Sequence, residues 1–294
     1  HCDVSLSEHK GGRLICHYCG YTQPMPKLCP KCGSKYILGF KAGTQQIEEK
    51  LKELYPGVRT LRMDADTTRT KDSYEKILSS FANGEADVLI GTQMIVKGHD
   101  FPKVTLVGIL AADLSLNASD YRAGERTFQL LTQAVGRAGR GALPGEAVIQ
   151  TYQPDHYAIT CAAAQDYESF YQEEILYREL SGYPPVAHML AVQIYGKEEE
   201  NVKQLALRLT DVVKSNMDFL SGKQKEQSNK KIQVLGPAPA NISKINDIYR
   251  YVFYVKHAEY DVLVEVKDRL EETLRQWQPR QMSIQFDFDP VSVL

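Results

Sequence analysis

Both halves of a self-sufficient nucleotide site are missing from this sequence. No G-x-x-x-x-G-K-[ST] loop occurs, because the Gly-Lys pairs at Gly196-Lys197 and Gly222-Lys223 are followed by neither Ser nor Thr. No D-E-x-[HD] tetrad follows an apolar strand pattern either. Alone, such a chain cannot bind and cleave a triphosphate, although it can complete a site held elsewhere. Also missing is any apolar run near the roughly 18 residues of a membrane span, or a charged amino-terminal segment leading into an apolar one. Membrane insertion is therefore not expected, and a cytoplasmic protein is. Charge of one sign is not in excess: 35 Lys and Arg stand against 37 acidic residues, which excludes a uniformly basic nucleic-acid coat and leaves local patches.

What is present describes a packed protein. Hydrophobic residues make up 43% and charged residues 24% of 294 positions, too apolar for disorder and long enough for more than one core. The chain opens His1-Cys2-Asp3, with no initiator Met and what reads as half of a Cys pair, so it is read as a piece of a longer protein.

Five of the six cysteines fall in the first 32 residues: Cys2, Cys16, Cys19, Cys29 and Cys32. Two complete C-x-x-C pairs result. One such knuckle offers two thiolates to one side of a tetrahedral ion and a second closes the other side, so zinc is the expected occupant. Disulfides are disfavoured in a cytosolic chain, and Gly20, Pro30 and Gly33 beside the pairs suit tight knuckles. Cys2 is the odd ligand, its partner expected upstream of residue 1. Cys161 lies in the small, apolar run from Ala158 to Ala164 and reads as a buried helix residue.

From Ile37 to Tyr152 helical and strand periods alternate, the pattern of a parallel sheet covered by helices and a RecA-like count. Helices are expected over 44–54, 71–82 and 123–138, and strands over 58–63, 88–90, 104–110 and 147–151. Two motifs stand out in this segment. The run Gln133-Ala-Val-Gly-Arg-Ala-Gly-Arg-Gly141 puts Arg137 and Arg140 three apart on one face at a helix end, with Gly136 and Gly139 removing bulk beside them. Such arginines suit insertion into a neighbouring lobe, where they stabilise charge on a γ-phosphate. The bland alternative is a Gly-rich helix exit with two solvated arginines.

The second motif, Gly91-Thr-Gln-Met-Ile-Val-Lys-Gly-His-Asp-Phe-Pro102, follows an apolar strand and so lies at the carboxyl edge of the sheet, where ligands bind. Thr92, Gln93 and the backbone amides can bond phosphate oxygens, and Lys97 adds charge without base preference. Gly98 supplies a turn and Asp100 an acceptor for a ribose hydroxyl. With Gln133 and Gly136, these last two make up the candidate ATP-binding residues. Read blandly, this is a polar loop turning at Gly98.

GTQMIVKGHDFPKVTLVG and QLLTQAVGRAGRG resemble motifs V and VI of superfamily 2 helicases. Within that superfamily the chain resembles the primosomal replication-restart helicases, a likeness that extends to LICHYCGYTQPMPKLCPKCGSK, MDADTT, LSGYPP, LGPAPA and FDFDPVSVL and covers nearly the whole chain. The resemblance implies a 3′-to-5′ ATP-dependent DNA helicase that acts at stalled forks, contacts single-strand-binding protein and reassembles the primosome with its other proteins. It implies ATP and Mg²⁺ held with an absent first lobe, so that this piece alone is inactive. It also implies two zinc ions bound crosswise between Cys pairs, Cys2 with Cys16 and Cys19 at one, Cys29 with Cys32 at the other. A single rearranged site of Cys16, Cys19, Cys29 and Cys32 stays open beside it.

Gly182-Tyr-Pro-Pro185 breaks the helical stretch 157–180 and marks a boundary. Beyond it the order reads strand, helix, strand, strand, helix, strand, over about 188–195, 198–219, 232–235, 249–255, 260–277 and 283–288, a ferredoxin-like α+β arrangement. Residues 222–256 hold seven Lys or Arg against two acids, with Tyr249, Tyr251 and Tyr254 nearby, which suits single-stranded or forked DNA or an acidic peptide tail. Lys244 and Arg250 are the candidate DNA contacts there. A solvated hairpin whose tyrosines alternate into a core is the alternative. The expected division is a Cys-rich zinc-binding insertion at 1–36, a RecA-like second helicase lobe at 37–156, a helical linker at 157–185 and an α+β domain at 186–294. A non-catalytic, zinc-dependent nucleic-acid adaptor is the competing function.

Overall fold

The computed structural model describes residues 1–9, 12–35, 43–64, 66–68, 70, 72–96, 101–118, 120–215 and 231–291. They fall into two compact units. One joins His1–Pro26, Ser119–Arg122 and Gln172–Leu294, and the other joins Lys27–Ala118 with Ala123–Tyr171.

The first unit opens with three short antiparallel strands, β1 (Ser7–His9), β2 (Arg13–Ile15) and β3 (Thr22–Pro24). The Cys16-x-x-Cys19 pair fills the turn between β2 and β3.

The second unit alternates helix and strand as its periodicity demands. Helix α1 (Thr44–Leu54) carries the pair Lys52–Glu48 at 2.8 Å one turn apart, and Glu48 also accepts from the Thr60 hydroxyl of the next strand at 2.8 Å. Strand β4 (Thr60–Met63), helix α2 (Ser73–Ala82) and strand β5 (Val88–Gly91) follow, and β5 pairs with β4 in parallel. A 3₁₀ turn, Gln93–Val96, leads out of β5. Strand β6 (Leu106–Ile109), the short helix α3 (Asp113–Leu116), helix α4 (Ala123–Val135) and strand β7 (Glu146–Ile149) complete a second parallel pair. The continuous parallel sheet expected from the sequence thus takes the form, among the described residues, of two parallel pairs.

Helix α4 buries Ala123, Thr127, Phe128, Leu131 and Ala134, a stripe at helical spacing. Phe128 stacks on Phe170 with centroids 4.0 Å apart. The helical stretch expected over 157–180 is two helices, α5 (Tyr157–Ala164) and α6 (Tyr167–Ser181), separated by Gln165 in the left-handed region. Cys161 lies on α5, only half-buried, packed against this core.

The terminal segment forms β8 (His188–Gly196), α7 (Glu199–Ser215), β9 (Gln233–Ile245), β10 (Ile248–His257), α8 (Tyr260–Trp277) and β11 (Met282–Phe288). The sheet is antiparallel throughout, in the order β11-β8-β10-β9. Leu190, Val192 and Ile194 of β8 and Tyr251, Phe253 and Val255 of β10 alternate toward Val202, Leu209, Leu263, Val266 and Leu270 of the two helices, forming one core.

Strand β9 is much longer than the four residues expected. Gly236, Pro237 and Pro239 read as a break, yet β9 is an edge strand, where a residue lacking an N–H costs no ladder bond on its open side. Register shifts opposite Tyr249 to Tyr254 absorb the irregularity. Expected helix residues 216–219 and the basic residues from 222 to 230 lie outside the described residues. The tyrosines follow the core alternative in part: Tyr251 is in the core and Tyr249 packs against it.

Candidate nucleotide-cleft and thiolate sites

At the end of β5 the chain has no room for a side chain. A Cβ on Gly91 would meet the Met63 carbonyl oxygen at 2.5 Å and Ile95 Cγ2 at 2.6 Å, so the loop leaves the sheet pressed against the end of β4. Thr92 and Gln93 follow, both exposed, with the Thr92 carbonyl accepting from the Ile95 amide at 3.2 Å. Lys97, Gly98 and Asp100 lie outside the described residues. The loop is anchored again at Phe101, whose ring meets Phe81 of α2 edge-on with centroids 5.0 Å apart.

The arginine segment starts where α4 ends. The expected helix to residue 138 stops at Val135, and Gly136, Arg137 and Ala138 continue as turns whose amides donate to Thr132, Ala134 and Val135. Arg137 is half-buried, with its Nε enclosed. Arg140 is exposed, and its Nε donates to the Gly136 carbonyl at 2.6 Å, where a cation also meets the negative end of the helix. Gln133 is exposed on the last turn.

The glycines have a second task that spacing did not reveal. Gly139, at φ +71, has its Cβ position 2.7 Å from Gly145 N, and its amide donates to the Val104 carbonyl at 3.0 Å. A Cβ on Gly141 would meet the Pro102 carbonyl oxygen at 2.1 Å. The Gly-rich exit is therefore locked by backbone contact onto the Phe101–Val104 stretch that ends the other loop. Of the expected residues, the structure brings the arginine turn, Gly136 and the end of the Gly91–Pro102 loop together.

Lys244 and Arg250 lie in the other unit, on the β9–β10 hairpin. Lys244 sits 4.6 Å from the Tyr249 ring centroid and 3.4 Å from Asp247, and the Tyr249 hydroxyl first, then Asp247, raises its pKa. Arg250 donates to the Ile242 carbonyl at 3.4 Å.

The two C-x-x-C turns are built alike. The Cys16 amide donates to the Tyr21 carbonyl at 2.8 Å and the Gly20 amide to the Cys16 carbonyl at 2.9 Å; Cys29, Ser34 and Gly33 repeat both bonds, at 2.8 Å each. Gly20 and Gly33 occupy the left-handed region that such a turn requires. Backbone amides of Cys19 and Tyr18 lower the Cys16 thiol pKa, and those of Cys32 and Lys31 do the same for Cys29. At Cys2 the Asn246 amide pulls the other way from burial and the neighbouring thiols of Cys19 and Cys16, which together raise the thiol.

The sulfurs of Cys2, Cys16 and Cys19 lie within 4.8 Å of one another, the sole such group of three ligand atoms among the described residues. Zn–S bonds of about 2.3 Å at tetrahedral angles place sulfurs about 3.8 Å apart, so the trio fits three corners of a zinc site. Cys29 and Cys32 form a knuckle of their own in the other unit.

Three family models match the chain. The PriA DNA helicase Cys-rich region domain matches residues 1–24, the helicase conserved C-terminal domain residues 28–142, and the primosomal protein N C-terminal domain residues 179–291. Among curated relatives, the replication restart protein PriA of Bacillus subtilis is 42% identical over 100% of this chain and 35% of its own length. Those of Synechocystis sp. and Haemophilus influenzae are 38% and 33% identical, over 99% and 96% of this chain and 34% and 36% of theirs. The chain thus spans about a third of the length of these relatives.

Proposed function

Because the chain belongs to the PriA family of replication restart proteins, we propose that it works as the carboxy-terminal part of an ATP-dependent 3′-to-5′ superfamily 2 DNA helicase that restarts replication and assembles the primosome at stalled forks. The observation that carries this reading is the backbone lock between Gly139 and Val104 and between Gly141 and Pro102. A lobe that lacks a phosphate loop contributes to hydrolysis by presenting fixed charges to a triphosphate bound elsewhere.

In this role Arg137 and Arg140 stabilise the charge that develops on the transferred phosphoryl group. Gln133 and Gly136 line the nucleotide side of the cleft with Gly98 and Asp100. Arg140 leaves the Gly136 carbonyl as the cleft closes, and the helix end it covered remains a favourable place for its return. Thr92, Gln93 and Lys97 hold the DNA backbone from the adjoining loop. Lys244 and Arg250 add backbone contacts on the hairpin. Mg²⁺ held with the first lobe would supply neutralisation of phosphate charge beside these arginines.

We assign Cys2, Cys16 and Cys19 to one zinc and Cys29 with Cys32 to a second, as a Cys-rich insertion at 1–36 in a RecA-like second lobe at 37–156. Bound zinc supplies folding energy to such knuckles. The βαββαβ order and the β11-β8-β10-β9 sheet support a ferredoxin-like class for the terminal domain, 186–294, reached through the helical segment 157–185. Forked and single-stranded DNA, single-strand-binding protein and other primosome proteins are its partners.

The adaptor reading makes an opposite claim about zinc. In the full-length protein, chelation is expected to leave DNA-stimulated ATP hydrolysis largely intact. Loss of all DNA binding on chelation, with no ATP hydrolysis under any condition, selects the adaptor instead.

A further inference from the structure

The turn between β9 and β10 contains two residues, Asn246 and Asp247, both in the left-handed region at φ 49° and 61°. A two-residue turn of this kind suits the twist of a hairpin and points its two central amides away from the ladder. An Asn-Asp pair adopts it because short polar side chains tolerate left-handed backbone. Amides in this position ordinarily face water.

Here both are used, and both on the same short segment. The Asn246 amide donates to Cys2 Sγ at 3.2 Å, and the Asp247 amide donates to the His1 carbonyl at 2.9 Å. The Asp3 amide returns a bond to the Lys244 carbonyl at 3.0 Å, and the Ser243 hydroxyl donates to the Asp3 carboxylate at 2.6 Å. The His1 ring Nδ1 and the Asp247 carboxylate are hydrogen-bonded beside them. Residues 1–3 are thereby laid along the hairpin tip, with Cys2 turned toward Cys16 and Cys19.

We propose that the Asn246-Asp247 turn is the outer shell of the Cys2–Cys16–Cys19 metal site, so that loading the metal and docking the β9–β10 hairpin are one coupled event. The proposal rests on the zinc reading above. An amide bonded to a ligand sulfur stabilises its thiolate charge and fixes the direction of its lone pairs, the task outer-shell donors perform in metal sites. Coupling is reciprocal: the hairpin, which carries Lys244 and Arg250, holds Cys2 in place, and a metal on Cys2 holds the hairpin. Asn246 is a positioning residue, acting through Cys2.

Amide hydrogen exchange on the full chain, zinc-loaded against zinc-stripped, reads this bond without altering the sequence. Exchange at Asn246 and Asp247 should slow about tenfold or more with zinc, while amides inside α8 stay unchanged. A second measurement follows zinc transfer to a colorimetric chelator. Replacing the turn by a longer Gly-Ser loop should speed release about tenfold, with circular dichroism unchanged; Asn246→Gly, which keeps the turn and its amide, should release at the native rate. Zinc bound normally with no change in exchange at Asn246 and Asp247 overturns this proposal alone. A chain that takes up no zinc overturns the metal reading and this proposal with it.

Discussion

The Gly139 amide donates to the Val104 carbonyl at 3.0 Å, joining the turn that carries both arginines to the end of the loop that leaves β5. Because this bond is between backbones, it fixes the relative placement of the two segments independently of side-chain rotamers. Its neighbours leave no space for substitution. Gly139→Ala combines a left-handed backbone with a contact to Gly145, and Gly141→Ala drives a methyl into Pro102. Each is expected to cost about 2–3 kcal/mol, seen as a lowered urea midpoint for Lys27–Ala118 with Ala123–Tyr171. A wild-type midpoint in both variants contradicts the lock.

Alkaline pH reports on the terminal sheet. Burial first, then Asp120 and Tyr183, push the Tyr254 hydroxyl up to about 12. The neutral phenol is thus favoured in the fold, and its contribution is complete below the unfolded value near 10 and is lost as pH rises toward about 12. Tyr254→Phe should flatten the fall in stability across that window, followed by thermal melts at stepped pH with tyrosinate absorbance read in parallel.

The knuckle glycines should matter for metal rather than for the core. Gly20 and Gly33 sit at φ +74 and +68 with open space where a Cβ would go, so the penalty of Gly→Ala is conformational, about 1 kcal/mol each. Gly20→Ala is expected to weaken zinc retention several-fold while leaving urea unfolding of the terminal sheet unchanged. Equal zinc retention would show that the turn geometry is irrelevant to binding.

Much of the fold was legible where pattern and environment agree. Helices α1 and α8 begin and end where their apolar spacing and flanking residues say, α8 because it buries Leu263, Val266 and Leu270 against the terminal sheet. The order of elements after Pro185 was readable for the same reason. Strand β9 was not, since Gly236-Pro237 and Pro239 signal a break unless the strand is known to lie at an edge, which is a property of the sheet and not of the segment. Parallel pairing of β6 with β7 depends on residues 40 apart and has no local signature.

Within the candidate site, the arginines and the Gly91–Pro102 loop were visible as motifs, but the reason for Gly139 and Gly141 was not. Their necessity comes from Gly145 and Pro102, partners that only the fold supplies. Arg140 was expected on one face with Arg137 at a helix end; its bond to the carbonyl of Gly136, an acceptor created by the end of α4, has no signal in the spacing. The Asn246-Asp247 dipeptide between two apolar, alternating runs is a hairpin signal that could have been read, but its use of both amides on residues 1 and 2 could not.

The most direct test is DNA-stimulated ATP turnover in the full-length protein carrying Arg137→Ala or Arg140→Ala. Turnover should fall about a thousandfold in each, with DNA affinity nearly unchanged, because the arginines act on the charge of the transferred phosphoryl group. Native turnover in both variants contradicts the account and leaves the Gly-rich turn as structure alone.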